Sequence, residues 1–457
     1  MPELTDEQRG FVEAVLQGGS CNMLLGKAGV GKSVCIREVI ERGMSLRKRF
    51  FVLAPTGVAA LNVRGETVHR FLYRLRSDVE LNFRDYPPDF ILIDEVSMVR
   101  ADLLDELDRA LRRARDDKEK PFGGISVVLV GDCAQLPPVM KDEDREELLD
   151  VYPSPWFFSS EVFSEVRWRF HELTHIFRQS DSRFIDILNK VRIGEAADSV
   201  QWLNENRLTE LARGTILVST NKAAEEINSR QLRMLPGRRT SYDATVVGDF
   251  QAKDYPTEPV LQLCKDARIM VVKNIYEDKQ LTLVNGDTGV VELCEEDSVT
   301  FKCDRTKQSH TVRADHGRWE KVKRVFVKGQ ALVDDNGQPV IGEDGNPAHA
   351  DGFMEERVVG GFYQIPLRLA WAMTVHKSQG ATLHEVTLDM RRRFFAEGQA
   401  YVALSRGSAI DRLWLYGRME ESDVKLSIEA LDFLTRRMQS RFIFRDAQQG
   451  LFEVQGG

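Results

Sequence analysis

No Cys-x-x-Cys pair occurs in these 457 residues, and the six cysteines, Cys21, Cys35, Cys133, Cys264, Cys294 and Cys303, are scattered. That spacing excludes a disulfide framework and a cysteine zinc site, and it points to a reducing compartment. The expected setting is cytoplasmic, in a bacterial cytosol or nucleoid or from a phage genome. No run of 18 apolar residues occurs, and the first eight residues, Met1 to Gln8, are polar and acidic. Neither a membrane span nor a signal peptide is therefore expected. Positive charge is not in excess: 63 Lys and Arg stand against 71 Asp and Glu, a net charge of −8. Such a balance does not advertise nucleic acid, although a groove needs only a local basic lining. What remains, 42% hydrophobic and 29% charged residues, is ordinary for a globular chain of roughly two to four domains.

Against that background one segment stands out. Gly26-Lys27-Ala28-Gly29-Val30-Gly31-Lys32-Ser33 fits G-x-x-x-x-G-K-S, a loop whose backbone N–H groups cradle nucleotide phosphates. Glycine keeps a Cβ out of the phosphate's way, Lys32 adds a cation, and the Ser33 hydroxyl can ligate Mg²⁺. Before it, Met23-Leu24-Leu25 reads as the end of a buried strand; after it, Val34 to Ile40 reads as a helix presenting its N-terminus to the anion. The apolar runs Phe51 to Ala54, Phe90 to Ile93, Val127 to Val130 and Thr215 to Val218 suit strands buried on both faces of a parallel sheet. Val99 to Ala114 carries helical spacing, with Val99, Leu103, Leu107, Ala110, Leu111 and Ala114 in register. Strands alternating with helices predict an α/β core with ligands at the strand C-terminal ends.

Two further segments end such strands. In Ile91-Leu92-Ile93-Asp94-Glu95, Asp94 is placed to hold Mg²⁺ and Glu95 to orient and deprotonate a water. In Val130-Gly131-Asp132-Cys133-Ala134-Gln135-Leu136-Pro137-Pro138-Val139, Gln135 can sense the γ-phosphate, and the stiff Pro-Pro turn can touch a second ligand.

With these residues in place the chain resembles the superfamily-one DNA helicases of the Pif and RecD branch, nearest to the Pif group, over nearly its whole length from Thr5 to Arg406. The resemblance implies two RecA-like domains, with a small β-rich, barrel-like insertion in the second. It also implies ATP and Mg²⁺ as cofactors and 5′ to 3′ translocation on single strands, in the service of DNA repair, recombination or telomere maintenance. Thr5-Asp6-Glu7-Gln8 matches the segment that supplies a glutamine, Gln8, to the adenine, though the same residues fit a helix-capping box. Ile176-Phe177-Arg178-Gln179 and Gln399 to Arg406 would bring Arg178 and Arg406 to the γ-phosphate from a separate domain, and Gly380 would meet the nucleotide. For the strand the resemblance implies Pro55, Thr56, Gly57, His69, Phe71, Pro138, Val139, Asn221, Thr374, His376 and Lys377, with His69 and Phe71 stacking on bases. For Phe71 a place in the core is an equal alternative. Val96 to Arg113 matches a helical stretch distinguishing the Pif group, whose spacing packing alone explains.

The implied organisation is a first RecA-like domain over 1–172 with a short wedge-type insertion at about 72–88. The second RecA-like domain would occupy 173–265 and 363–457, the latter with a C-terminal helix or tail, around a β-rich insertion at 266–362. His171-Glu172-Leu173-Thr174-His175 fits H-E-x-x-H, which on a helix would hold zinc. The alternation of Arg167 to Phe170 before it is strand-like, and no third ligand is evident. Trp319 to Arg324 and Arg391 to Phe395 interleave or join basic residues with aromatics and are candidates to line the strand path. The stretch from Asp334 to Gly352 has no assignment beyond a surface hairpin or a DNA-contacting flap. The expected partners are single-stranded DNA and single/double-strand junctions, engaged by a monomer, with accessory repair or replication proteins and no membrane. Forked duplexes and G-quadruplexes are candidate targets. The alternative is a nucleotide-gated DNA clamp, or a RecD-like motor subunit that needs a nuclease partner.

Overall fold

The computed structural model describes residues 3–77, 81–140, 142–277, 280–327 and 353–436; the stretch from Asp334 to Gly352 lies outside them. Helix α1 (Asp6–Gln17) precedes β1 (Asn22–Gly26), which leads through the glycine-rich loop into α2 (Lys32–Ser45). β1 pairs in parallel with β5 (Ser126–Gly131) on one side and β6 (Arg169–Leu173) on the other. Beyond β5 follow β4 (Phe90–Ile93), β2 (Phe50–Ala54) and the short β3 (Glu66–Thr67), so the sheet order is β3-β2-β4-β5-β1-β6. Every residue of β1, β2, β4 and β5 is buried, which is why these strands read as unbroken apolar runs rather than alternating ones. The register sets Leu25 against Gly131 and Ile93 against Leu129. Hence the loop after β1 and the turns after β4 and β5 emerge side by side, at the edge where open α/β sheets bind ligands.

A second parallel sheet has the order Ala372–Thr374, Thr215–Val218, Val386–Asp389, Leu413–Tyr416. The two parallel sheets agree with the α/β expectation. Between the first two of these strands along the chain lies antiparallel structure. A five-stranded sheet runs Ser309–Arg313, Ser298–Cys303, Thr288–Cys294, Arg268–Val271, Leu367–Leu369, and a three-stranded one joins Arg318–Val327, Phe353–Tyr363 and Thr245–Gly248. Its core, with Leu261, Ile269, Val291, Phe301 and Leu367, is separate from those of the parallel sheets. Antiparallel pairing already begins at Thr240–Asp243 and ends at Leu367–Leu369, wider than 266–362 on both sides. The outlying strands hydrogen-bond to partners inside the insertion or beside it.

One local expectation needs correction. The helix read from Val96 or Val99 starts at Ala101 and runs to Arg115, behind a 3-10 turn at Val96–Met98. Glu95 is left-handed (φ 50°, ψ 44°) and Val99 extended, so the chain cannot enter an α-helix before Arg100, although Val99 is buried at helical spacing. Parts of the stretch read as a short wedge-type insertion at about 72–88 pack on the first sheet. Leu72 belongs to the helix Val68–Ser77, and Leu81 and Phe83 are buried, Phe83 packing on Phe51 and Phe71. Apolar burial holds that segment on the sheet.

Candidate active site

The loop after β1 holds its shape through backbone that other residues resist. Gly29 and Gly31 have φ of 82° and 88°, and a Cβ on Gly31 would lie 2.5 Å from Gln8 Nε2. Gly31 is the N-cap of α2, with no side chain capping that end, so the first-turn N–H groups are left for an anion. Lys32 Nζ donates to the Gly26 and Lys27 carbonyls at 2.7 and 3.1 Å, which seats the ammonium inside the loop. Burial pushes its pKa down, and Asp132, Glu95 and Asp94 pull it back. A triphosphate fits this loop on chemical grounds: donors, a buried cation and no Cβ in the way.

Across from Lys32, Asp94 Oδ1 accepts the Glu95 N–H at 2.8 Å. Burial, and then the neighbouring Glu95, push the Asp94 carboxyl up to about 7. Two close carboxylates beside exposed Ser33 are a hard-oxygen donor set, and Ser33 Oγ and Asp94 are the groups that would hold Mg²⁺. The raised value has a sign that can be tested. An unfolded Asp titrates near 3.9, so the cost of ionising Asp94 is absent below about pH 4, grows between 4 and 7, and is full above 7. Asp94→Asn therefore raises the melting midpoint by about 2–5 °C at pH 8 and by less than about 1 °C at pH 5. Calorimetry showing the same shift at both pH values would contradict that origin.

Residues from the chain beyond β6 close on this edge. Phe177 N–H donates to the Gly29 carbonyl at 2.9 Å, and Arg178 Nη1 donates to the Ser405 carbonyl at 3.2 Å. Gln379 Nε2 donates to Glu95 Oε2 at 3.0 Å and to Gln135 Oε1 at 3.3 Å, tying together the ends of β4 and β5. Arg406, 2% exposed, donates to the Val402, Ser378 and Ala381 carbonyls and to Ser405 Oγ, and no ion pair offsets it among the described residues. Burial, then the nearby Arg178, bring its guanidinium down to about 9, opposed by Glu95. Two guanidinium groups kept close against their mutual repulsion make a site that favours an anion.

Gln8 makes the helix-capping contacts and also reaches the phosphate loop. It completes the capping box with Thr5, and its Nε2 reaches the Val30 carbonyl at 3.4 Å. Ala28 and Val30 are buried within the loop, while Gly380 is exposed with φ 82°.

The residues read as strand contacts divide. Thr56, His69, Val139, Asn221 and Lys377 are exposed, with His376 and Pro55 partly so. Gly57 faces the Asp254 carboxylate, which pairs with Lys321. Phe71 is a correction: at 0% exposure it packs between Phe51 and Phe83 and cannot stack on a base. Pro138 and Thr374 are buried too; the Thr374 hydroxyl donates to Asn221 Oδ1 and accepts the Lys377 N–H. Arg391 and Arg393 pair with Asp389 and Asp423, so this basic run is largely neutralised at home. His171 and Glu172 lie on β6, not on a helix. His171 Nε2 bonds Asn22 Oδ1, and burial, then Arg169, push the imidazole down to about 4. No group of three or more His, Cys, Asp or Glu side chains placed to hold a metal occurs among the described residues. Reading by motif missed Gln379 as a partner of Glu95, and it missed Tyr401, Asp132 and Arg192 altogether. The first three sit inside segments already singled out, but only folding shows what they touch.

Comparison with known proteins points one way. A family model described as PIF1-like helicase matches residues 3–202. The chain is 33% identical to the human ATP-dependent DNA helicase PIF1 over 438 residues, 90% of this chain and 60% of that protein. With the ATP-dependent DNA helicase RRM3 of Saccharomyces cerevisiae it shares 29% identity over 95% of this chain and 67% of the relative. Some of these curated relatives are thus matched over only about three-fifths of their length. Bacteroides sp Pif1 in complex with ADP-AlF4 superposes with a TM-score of 0.80 at 28% identity, covering 96% of this chain and 98% of that one. Bacteroides Pif1 bound to ssDNA gives 0.61 at 28% identity over the same 96% and 98%. No described helix is long and apolar enough to cross a membrane.

Proposed function

We propose that this chain, similar to PIF1-like helicases over residues 3–202 and to curated PIF1 helicases over most of its own length, is an ATP-driven DNA helicase that translocates 5′ to 3′ on single strands and unwinds duplex ahead of it. One observation carries the reading: Lys32, Glu95 and Gln135 meet Arg178, Gln379 and Arg406 at one edge, the first three from one parallel sheet's loops and the others from the chain beyond β6. In this reading Lys32 steadies the phosphates, and Glu95, held by Gln379, takes the proton of the attacking water. Mg²⁺ at Ser33 and Asp94 supplies charge neutralisation at the phosphates. Arg178 and Arg406 complete the site only when the halves approach, so hydrolysis is tied to domain motion. The strand path runs past the exposed Thr56, His69, Val139, Asn221, His376 and Lys377. In this reading these residues belong to two motor domains around the β-rich insertion, whose antiparallel pairing extends from Thr240–Asp243 to Leu367–Leu369. Support for DNA as partner comes from the relatives: Bacteroides Pif1 has been solved on ssDNA, and another solved structure concerns unwinding at forked dsDNA by two coordinating Pif1 helicases.

The test is unwinding of matched duplexes carrying a single-stranded tail at one end. With ATP, the isolated chain separates the 5′-tailed duplex at least about tenfold faster than the 3′-tailed one. Activity confined to the 3′ tail overturns the direction, and strand binding without unwinding favours the clamp or subunit reading.

A further inference from the structure

Three buried side chains tie the phosphate loop to the helix that precedes Arg406. The Ala28 N–H donates to Tyr401 Oη at 2.9 Å, and Tyr401 Oη lies 3.1 Å from Asp132 Oδ2. Arg192 grips Asp132 Oδ1 through Nε at 3.2 Å and Nη2 at 2.9 Å. Tyr401, Asp132 and Arg192 are 3%, 0% and 5% exposed. A phenol carries one proton; since Ala28 can only donate, the Tyr401 proton points at Asp132. Burial and the Asp132 charge both push the phenol's pKa up, so it stays a neutral donor. Burial favours the acid form of Asp132, but Arg192 and Lys32 outweigh it and hold the carboxyl below its usual range. The direction of every bond in the chain is thereby fixed.

What the chain joins gives it a role. Ala28 lies in the loop that receives phosphate, and Asp132 follows β5 of the same sheet. Tyr401 sits on the helix Gln399–Leu404 and Arg192 ends the helix Ser182–Arg192, in the part of the chain that supplies both arginines. One turn past Tyr401, Ser405 N–H donates to the Tyr401 carbonyl at 3.0 Å, and the Arg406 guanidinium is anchored on Val402 and Ser405. A shift of the Tyr401 ring therefore shifts Arg406. Separating the halves strips the buried Asp132 of Arg192 and Tyr401 and leaves it the Ala134 N–H of its own loop, a cost that favours all-or-none closure over graded closure.

We propose that Tyr401 is a positioning residue that couples the phosphate loop to Arg406, with Asp132 and Arg192 fixing its hydroxyl. The proposal rests on the nucleotide-hydrolysis reading above. Its test is Tyr401→Phe, with steady-state ATP hydrolysis at saturating oligothymidylate set beside equilibrium binding of a ribose-labelled fluorescent ATP analogue. The expected result is a fall in kcat of about tenfold, equivalent to about 1.4 kcal/mol, with nucleotide Kd within about twofold, because the hydroxyl meets backbone rather than nucleotide. Arg192→Lys keeps the charge but loses the two-pronged grip, and lowers kcat about threefold with Kd unchanged; it decides the matter if the phenylalanine variant fails to fold. An unchanged kcat, or kcat and affinity lost in equal proportion, overturns the coupling. A wild-type chain that does not hydrolyse ATP instead refutes the nucleotide reading, and the coupling with it.

Discussion

Replacing Lys32 with alanine lowers ATP turnover by at least about 10³-fold while single-stranded DNA still binds within about threefold of the wild type. The ammonium is buried inside the loop, held by the Gly26 and Lys27 carbonyls and by the charges of Asp132, Glu95 and Asp94. The neighbouring Lys27 turns away from the loop to Asn189 Oδ1 at 2.7 Å. Deleting Lys32 removes a charge that faces the phosphates; among the described residues its ammonium bonds only the Gly26 and Lys27 carbonyls and none of the residues read as strand contacts. Steady-state hydrolysis and a DNA-binding titration on the same preparation check both halves. Hydrolysis stimulated by DNA in the variant would show that Lys32 has been given the wrong role.

The second large effect is at Arg406. Arg406→Lys retains a positive charge, yet a lysine cannot donate at once to Val402, Ser378, Ala381 and Ser405 in the arginine's planar fan. A guanidinium brought down to about 9 by burial and by Arg178, without an ion pair among the described residues, is costly to keep unless it meets an anion during the cycle. We expect kcat to fall by about 10²–10³-fold with the KM for ATP changed less than about threefold, since a group that acts on the developing charge lowers turnover more than binding. Equal losses in kcat and affinity would place Arg406 in ground-state binding.

Much of this site can be read from the chain before it folds, and the reasons differ by residue. The loop from Gly26 to Ser33 is legible because its chemistry needs glycine at fixed offsets, and β1, β4 and β5 are legible because strands buried on both faces must be apolar throughout. Asp94 follows as the first polar group beyond β4, and Gln135 lies four residues beyond the end of β5. The helix start at Ala101 is not legible, since it depends on Glu95 adopting a left-handed backbone that its side chain does not advertise. Phe71 is ambiguous for another reason: an aromatic at helical spacing looks the same whether its face meets a base or Phe51 and Phe83. The chain through Ala28, Tyr401, Asp132 and Arg192 joins residues 60 to 373 positions apart, and no local pattern encodes such a meeting.

The central claim is that the nucleotide edge and a DNA strand are served by one pair of moving domains. Measuring ATP hydrolysis with and without single-stranded DNA, at saturating ATP and Mg²⁺, tests it most directly. The account predicts stimulation of about tenfold or more, lost in Arg406→Lys; hydrolysis at the same rate with and without the strand would contradict it.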